Sequence, residues 1–183
     1  MSSLEKAEAL ALVEFWVSAG YEKWFTKDDA FDQHCRHYHA LWEKARDGAL
    51  SDWGDTAVGS LALILLLDQI PRNVLRGTAE QYSTDALAVV AADAAITAGY
   101  DRVFPMPLRF FFYLPYEHAE DMALQRRCLD LVRPLKNQDL YYYALLHADA
   151  ISRFGRFPHR NAMLGRETTP DEREYLDTGG FGS

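Results

Sequence analysis

The sequence predicts an all-α protein: one domain over residues 1–183, built as an antiparallel stack of about seven to eight helices. Three observations carry this. Apolar residues recur at helical spacing in one segment after another. Several segments open on side chains that cap helix ends. No two segments alternate apolar and polar residues in the way that a pair of strands requires, and an unpartnered strand is not stable.

The elements follow in order. Ser2 with Glu5 has the spacing of a capping box, and Leu4, Ala7, Leu10 and Phe15 continue one face until Gly20. A second helix is expected from about Asp28 to Gly48, with Phe31, Tyr38, Leu41, Trp42 and Ala45 turned inward. A third, from about Asp55 to Ile70, is apolar nearly all round and is therefore the expected central helix, with Pro71 ending or kinking it. Thr84–Ala98 forms a fourth, stopped by Gly99. The aromatic run Phe110–Leu114 lies between Pro107 and Pro115 and is read as a short helix for want of a partner strand. Helices at about Glu117–Arg133 and Asn137–Phe154 come next. The last opens on Thr169 with Pro170 at its first position and Glu172 completing a capping box. The tail at 179–183 is expected to fray.

Composition limits the function. The formal net charge is −8, so the chain lacks the basic face that general nucleic-acid binding needs. No nucleic-acid partner is expected. The N-terminus carries acids where a leader peptide carries basic and apolar residues. The most apolar stretch, Leu61–Leu67, falls well short of the roughly 20 residues of a membrane span. A cytoplasmic protein without a membrane partner is the expectation. Cys35 and Cys128 are far apart and match no metal or redox spacing, so buried thiols in a reducing compartment are expected. No metal site and no cofactor are predicted.

The most informative stretch is 153–166. Arg153, Arg156, His159, Arg160 and Arg166 stand there without one acid, interleaved with Phe154, Phe157 and Leu164 and with the breakers Gly155 and Pro158. A solvated charge run is not built that way. Arginine at a partly buried wall grips carboxylate or phosphate through its planar fork of donors. Two other polar clusters interrupt apolar helices. Asp68 and Arg72 have pair spacing, with Asn73 and Arg76 beside them at the end of the central helix. Glu117, His118, Glu120 and Asp121 follow Pro115, where acids in a first turn suit the helix dipole. His147 lies upstream of the arginine-rich stretch.

These blocks also carry a resemblance. Leu65–Asn73, Arg76-Gly77 and Asp85; Phe112–Glu120 with Gln125; and His147, Arg153–Asn161, Leu164–Arg166 and the Thr169-Pro-Asp-Glu start resemble a bacterial family known as domain of unknown function 924. Phe15-Trp16 and Trp24-Phe25 agree with it. Ala119 departs from the family, which more often has Ser after the histidine, so a hydroxyl role at that position has no support here. The resemblance implies a helical fold similar to a tetratricopeptide-like superhelix and brings no activity with it.

Three functional readings stay open at this level. In the first, helix ends converge on a pocket for a small anionic molecule, a carboxylate or phosphate, in a hydrolase or lyase. Arg72, Asn73, Glu117, Arg153, Arg156, Arg160 and Asn161 would bind the ligand, while His118, His147 and His159 would serve as acid or base. In the second, the same arginines clamp an acidic peptide or a C-terminal carboxylate on a helical-repeat module. In the third, the arginines pair with buried acids and only hold the fold together.

Overall fold

The computed structural model describes residues 2–182 and is helical throughout, with no strand among those residues. The chain divides into two compact units, Met1–Pro115 and Tyr116–Ser183.

In the first unit, α1 (Ser3–Ala19) opens on the expected capping box. Ser2 Oγ accepts from the Glu5 amide, and the Glu5 carboxylate accepts from the Ser2 amide. Its inner face buries Ala9, Leu12, Val13 and Trp16. A short α2 (Tyr21–Phe25) follows. The expected helix at Asp28–Gly48 is instead two, α3 (Asp29–Cys35) and α4 (His39–Arg46), joined by a single 3₁₀ turn at Arg36–Tyr38. Phe31, Trp42 and Ala45 are buried as predicted.

The central helix is where sequence and structure differ most usefully. Helical structure does not stop at Ile70. It runs as α5 (Ala57–Ile64), a π-helical turn (Leu65–Gln69) and α6 (Ile70–Val74). Pro71 has no amide proton to give the Leu67 carbonyl. The π turn passes this point by widening the loop, the Ile70 amide donating back to the Leu65 carbonyl. The Leu67 carbonyl then accepts from the Thr84 hydroxyl at 2.6 Å. Leu61, Ala62, Ile64, Leu65 and Leu66 are fully buried, which makes this the core helix. Apolar enough in length and composition to cross a membrane, Ala57–Val74 nevertheless has 72% of its residues buried inside the protein. Next to it packs α7 (Asp85–Thr97). The aromatic run is helical as expected, but as a 3₁₀ turn at Leu108–Phe112 followed by α8 (Leu114–Glu117), with Pro115 inside α8.

In the second unit, α9 (Met122–Val132) starts five residues later than the sequence suggested. Asp121 is its N-cap, accepting from the amides of Ala123 and Leu124 at 2.8 and 3.0 Å. Glu117 to Glu120 therefore precede the helix, and the two glutamates face other partners than its dipole. α9 packs against α10 (Gln138–Phe154), which Asn137 caps and Gly155 ends in the left-handed region at φ 67°. A 3₁₀ turn at Pro158–Arg160 leads to α11 (Pro170–Asp177), whose Thr169–Glu172 capping box forms as predicted. Ala150, Ile151, Phe157 and Tyr175 make the core here, and Phe181 packs on it. The described part of the tail, 179–182, thus folds back where fraying was expected; Ser183 lies outside the described residues.

Candidate functional site

The second unit gathers the residues around a buried imidazole. His147 projects from the middle of α10, 7% exposed. Its Nδ1 lies 2.8 Å from the Tyr143 carbonyl oxygen one turn back and 3.3 Å from Glu117 Oε1. A carbonyl can only accept, so Nδ1 carries the proton and Nε2 holds the lone pair. Burial, the neighbouring His118, and then Arg160 and His159 push the His147 pKa down to about 3, against the pull of the Tyr143 carbonyl. The ring is neutral, so its 3.3 Å approach to Glu117 is not an ion pair.

Around it stand other aromatic and cationic groups. The His118 ring centre is 6.2 Å away, Phe157 meets the imidazole edge-on at 5.6 Å, and Phe181 lies on it at 3.9 Å. Arg160, 6% exposed, donates Nη2 to the His118 carbonyl at 3.0 Å and sits 4.5 Å above the centre of the Phe157 ring. His159 is 5.6 Å from that same ring. Burial and Arg160 lower its pKa to about 4.

The acids in this unit are shared out. Glu117 is buried and also accepts from Cys128 Sγ at 3.7 Å. Glu120 takes both prongs of Arg166, at 2.6 and 2.9 Å, and the Phe157 amide at 2.8 Å. Glu172 takes both prongs of Arg156, at 2.6 and 2.9 Å, together with Asn161 Nδ2 at 3.1 Å and the Thr169 amide at 2.8 Å. This set of donors, Arg156 foremost, holds the Glu172 carboxyl down at about 2.

The residues singled out from sequence are therefore sorted. The structure brings together Glu117, His118, His147, His159 and Arg160. Arg156 and Asn161 adjoin them as supports whose side chains are engaged by Glu172 and, for Asn161, also by Arg166. Arg153 points outward, half exposed, 3.8 Å from Asp149 and over the Tyr175 ring. Arg72 and Asn73 belong to the first unit. Arg72 bridges Asp68 at 3.3 Å and Asp85 at 2.9 Å there, and Asn73 links the Gln69 carbonyl to Arg76.

The blocks of sequence that hold these residues are also the ones that relate the chain to other proteins. The family described as bacterial protein of unknown function (DUF924) matches residues 12–180. The chain belongs to it. Among solved structures, a protein of unknown function from Agrobacterium tumefaciens, ATU0120, is 50% identical to this DUF924 chain. The match covers 95% of this chain and 99% of that one, with a TM-score of 0.92. No curated protein matches the sequence.

The roles of three residues of this DUF924 protein escaped the sequence reading. Fully buried Gln125 offers Nε2 to the carbonyls of Tyr116, Glu117 and Ala119 at 3.3, 2.7 and 2.8 Å, so it clamps the turn that carries Glu117 and His118. Glu120 looked like a helix-dipole acid and is instead the partner of Arg166. Phe181 looked like part of a loose tail. Phe181 had a local signal of its own, a single large ring set among glycines.

Proposed function

We propose that the second unit binds a small carboxylate or phosphate at Arg160 and uses His147 Nε2 as the acid–base group of a hydrolase or lyase. The observation that carries this reading is a buried, neutral imidazole in the neighbourhood of the Arg160 guanidinium, a permanent cation that is itself buried. Burial is the main cause that keeps His147 neutral, and the Arg160 charge adds to it; that guanidinium is the group that would attract an anion. Three features fit a working base. Its tautomer is fixed by Tyr143 and Glu117, its lone pair is on Nε2, and it is screened from water by Phe157 and Phe181.

The same arrangement makes catalysis depend on the ligand. With the site empty, His147 is too weak a base to act near neutral pH. An anion beside Arg160 offsets the positive field and raises the imidazole's affinity for a proton. Nε2 could then take a proton from a water molecule or from a carbon next to the bound carboxylate, while Arg160 holds the anionic group through two parallel hydrogen bonds.

The test is a thermal and spectroscopic titration. Inorganic phosphate, sulfate and small carboxylates should raise the melting temperature and move the His147 ring resonances. Sodium chloride at equal ionic strength should do neither. A panel of anions with no effect beyond chloride would leave Arg160 and its neighbours as a structural cluster.

A further inference from the structure

Two phenylalanine rings lie against His147, and they are held in different ways. Phe157 is fully buried and belongs to the core. Phe181 is only partly buried and sits on Gly179-Gly-Phe-Gly, beyond the last turn of α11. Its ring centre is 3.9 Å from that of His147 and 5.2 Å from that of His159, so one side chain covers both imidazoles. The His159 ring is hydrogen-bonded to the Phe181 backbone, and the other attachments are backbone groups held by α11. The Phe181 amide donates to Tyr175 Oη at 2.9 Å, the Gly180 amide to the Tyr175 carbonyl at 2.8 Å, and the Gly179 amide to the Leu176 carbonyl at 3.3 Å.

The segment is fitted closely to what it covers. A Cβ at Gly180 would stand 2.4 Å from the Tyr175 carbonyl oxygen, which is backbone and cannot step aside. A Cβ at Gly182 would stand 2.4 Å from His159 Nδ1. Here glycine is required by close approach, and the approach is to the two residues that anchor and underlie the cover.

We infer that residues 179–182 form a cover seated on His147 and His159, that the Phe181 ring closes it, and that ligand entry requires this ring to leave. As to the ligand, the inference rests on the proposed anion site; as to the cover itself, it stands on the geometry alone. Phe181 would then compete with the ligand, and opening the segment would expose the base and its anion grip together.

Chemical modification separates these two parts. Diethyl pyrocarbonate acylates accessible imidazoles, and peptide mass spectrometry reads each histidine, with the exposed His34 and His37 as internal standards. In wild type, His147 and His159 should react far more slowly than the standards. Phe181→Ala should speed both at least ten-fold relative to His34, Gly180→Ala should do so with the ring retained, and Phe181→Leu should stay near wild type. Inorganic phosphate should bind Phe181→Ala about ten-fold more tightly than wild type. Modification rates unchanged in folded Phe181→Ala and Gly180→Ala would overturn the cover. Faster modification without any phosphate binding would uphold the cover and end the anion reading. Should both variants unfold, hydrogen exchange on wild type decides: a Phe181 amide as protected as that of Tyr175 overturns the cover, and one exchanging at least ten-fold faster supports it.

Discussion

The Thr84 hydroxyl donates to the Leu67 carbonyl at 2.6 Å, taking the place of the amide proton that Pro71 lacks. Trp42 Nε1 in turn donates to Thr84 Oγ1 at 3.3 Å, so one buried hydroxyl satisfies two buried groups. Thr84→Val keeps the shape and removes both bonds. It should cost about 1–3 kcal/mol in urea denaturation, the expense of leaving buried polar groups unpaired. In a Pro71→Ala background the new amide can serve Leu67, and the cost of Thr84→Val should shrink. Equal costs in the two backgrounds would refute the substitution of hydroxyl for amide.

Acid should weaken this protein earlier than its carboxylates alone would. The pKa of folded His147 is about 3 and that of His159 about 4, both below the ordinary 6.5. Between these limits the unfolded chain holds protons that the folded one refuses, so stability falls as pH falls. The slope is at most about 1.4 kcal/mol per pH unit for each group, and less for His159, which is more open to solvent. The loss should begin near pH 6.5 and involve the neighbours Glu117, His118 and Arg160. Urea unfolding at pH 7, 6 and 5 would measure it. A wild-type slope in this window no steeper than that of His147→Gln would contradict the neutral, buried imidazole.

Glu172 should behave in the opposite sense. Its carboxyl is held at about 2, so the stability it contributes is complete above the ordinary carboxylate range and is lost as pH falls toward 2. Glu172→Gln weakens the two-pronged grip of Arg156 and the capping box together, and should cost about 2 kcal/mol at pH 7. That deficit should fade between about pH 4.5 and 2. A deficit that does not change with pH would mean packing, and not charge, holds this corner.

Arg160→Ala should abolish the phosphate response in melting temperature, which for wild type amounts to about 2.7 kcal/mol at a hundred times the dissociation constant. Arg160→Lys should restore it only in part, because an ammonium cannot bind two oxygens in parallel. Arg153→Ala should leave the response intact, since that side chain points away from the imidazoles. Loss of the response in Arg153→Ala would place the anion elsewhere.

The local rules of the chain were legible where a single short segment decides the outcome. Both capping boxes, the Asn137 cap and the burial of Leu61, Ala62 and Ile64–Leu66 follow from spacing and polarity. What spacing could not show was a bond supplied from elsewhere in the chain. Pro71 reads as a stop because the sequence does not reveal that Thr84 will satisfy Leu67. The arginines of 153–166 look alike in sequence, yet the fold gives Arg156 to Glu172, Arg166 to Glu120 and Arg153 to an aromatic face. Arg160 is the one packed against the His118 turn and the Phe157 ring. The late start of α9 was equally hidden: Asp121 caps it, while Glu120 pairs with Arg166 and Glu117 lies against His147 and Cys128, partners distant in sequence.

The two cysteines, both fully buried, have a practical consequence. Burial pushes the Cys35 thiol up to about 12 and raises that of Cys128 as well, so neither offers a thiolate near neutral pH. The native protein should therefore ignore a maleimide dye. A single cysteine introduced in the 179–182 segment would become the one labelled position, and a fluorophore or spin label there would report directly on how often that segment lifts.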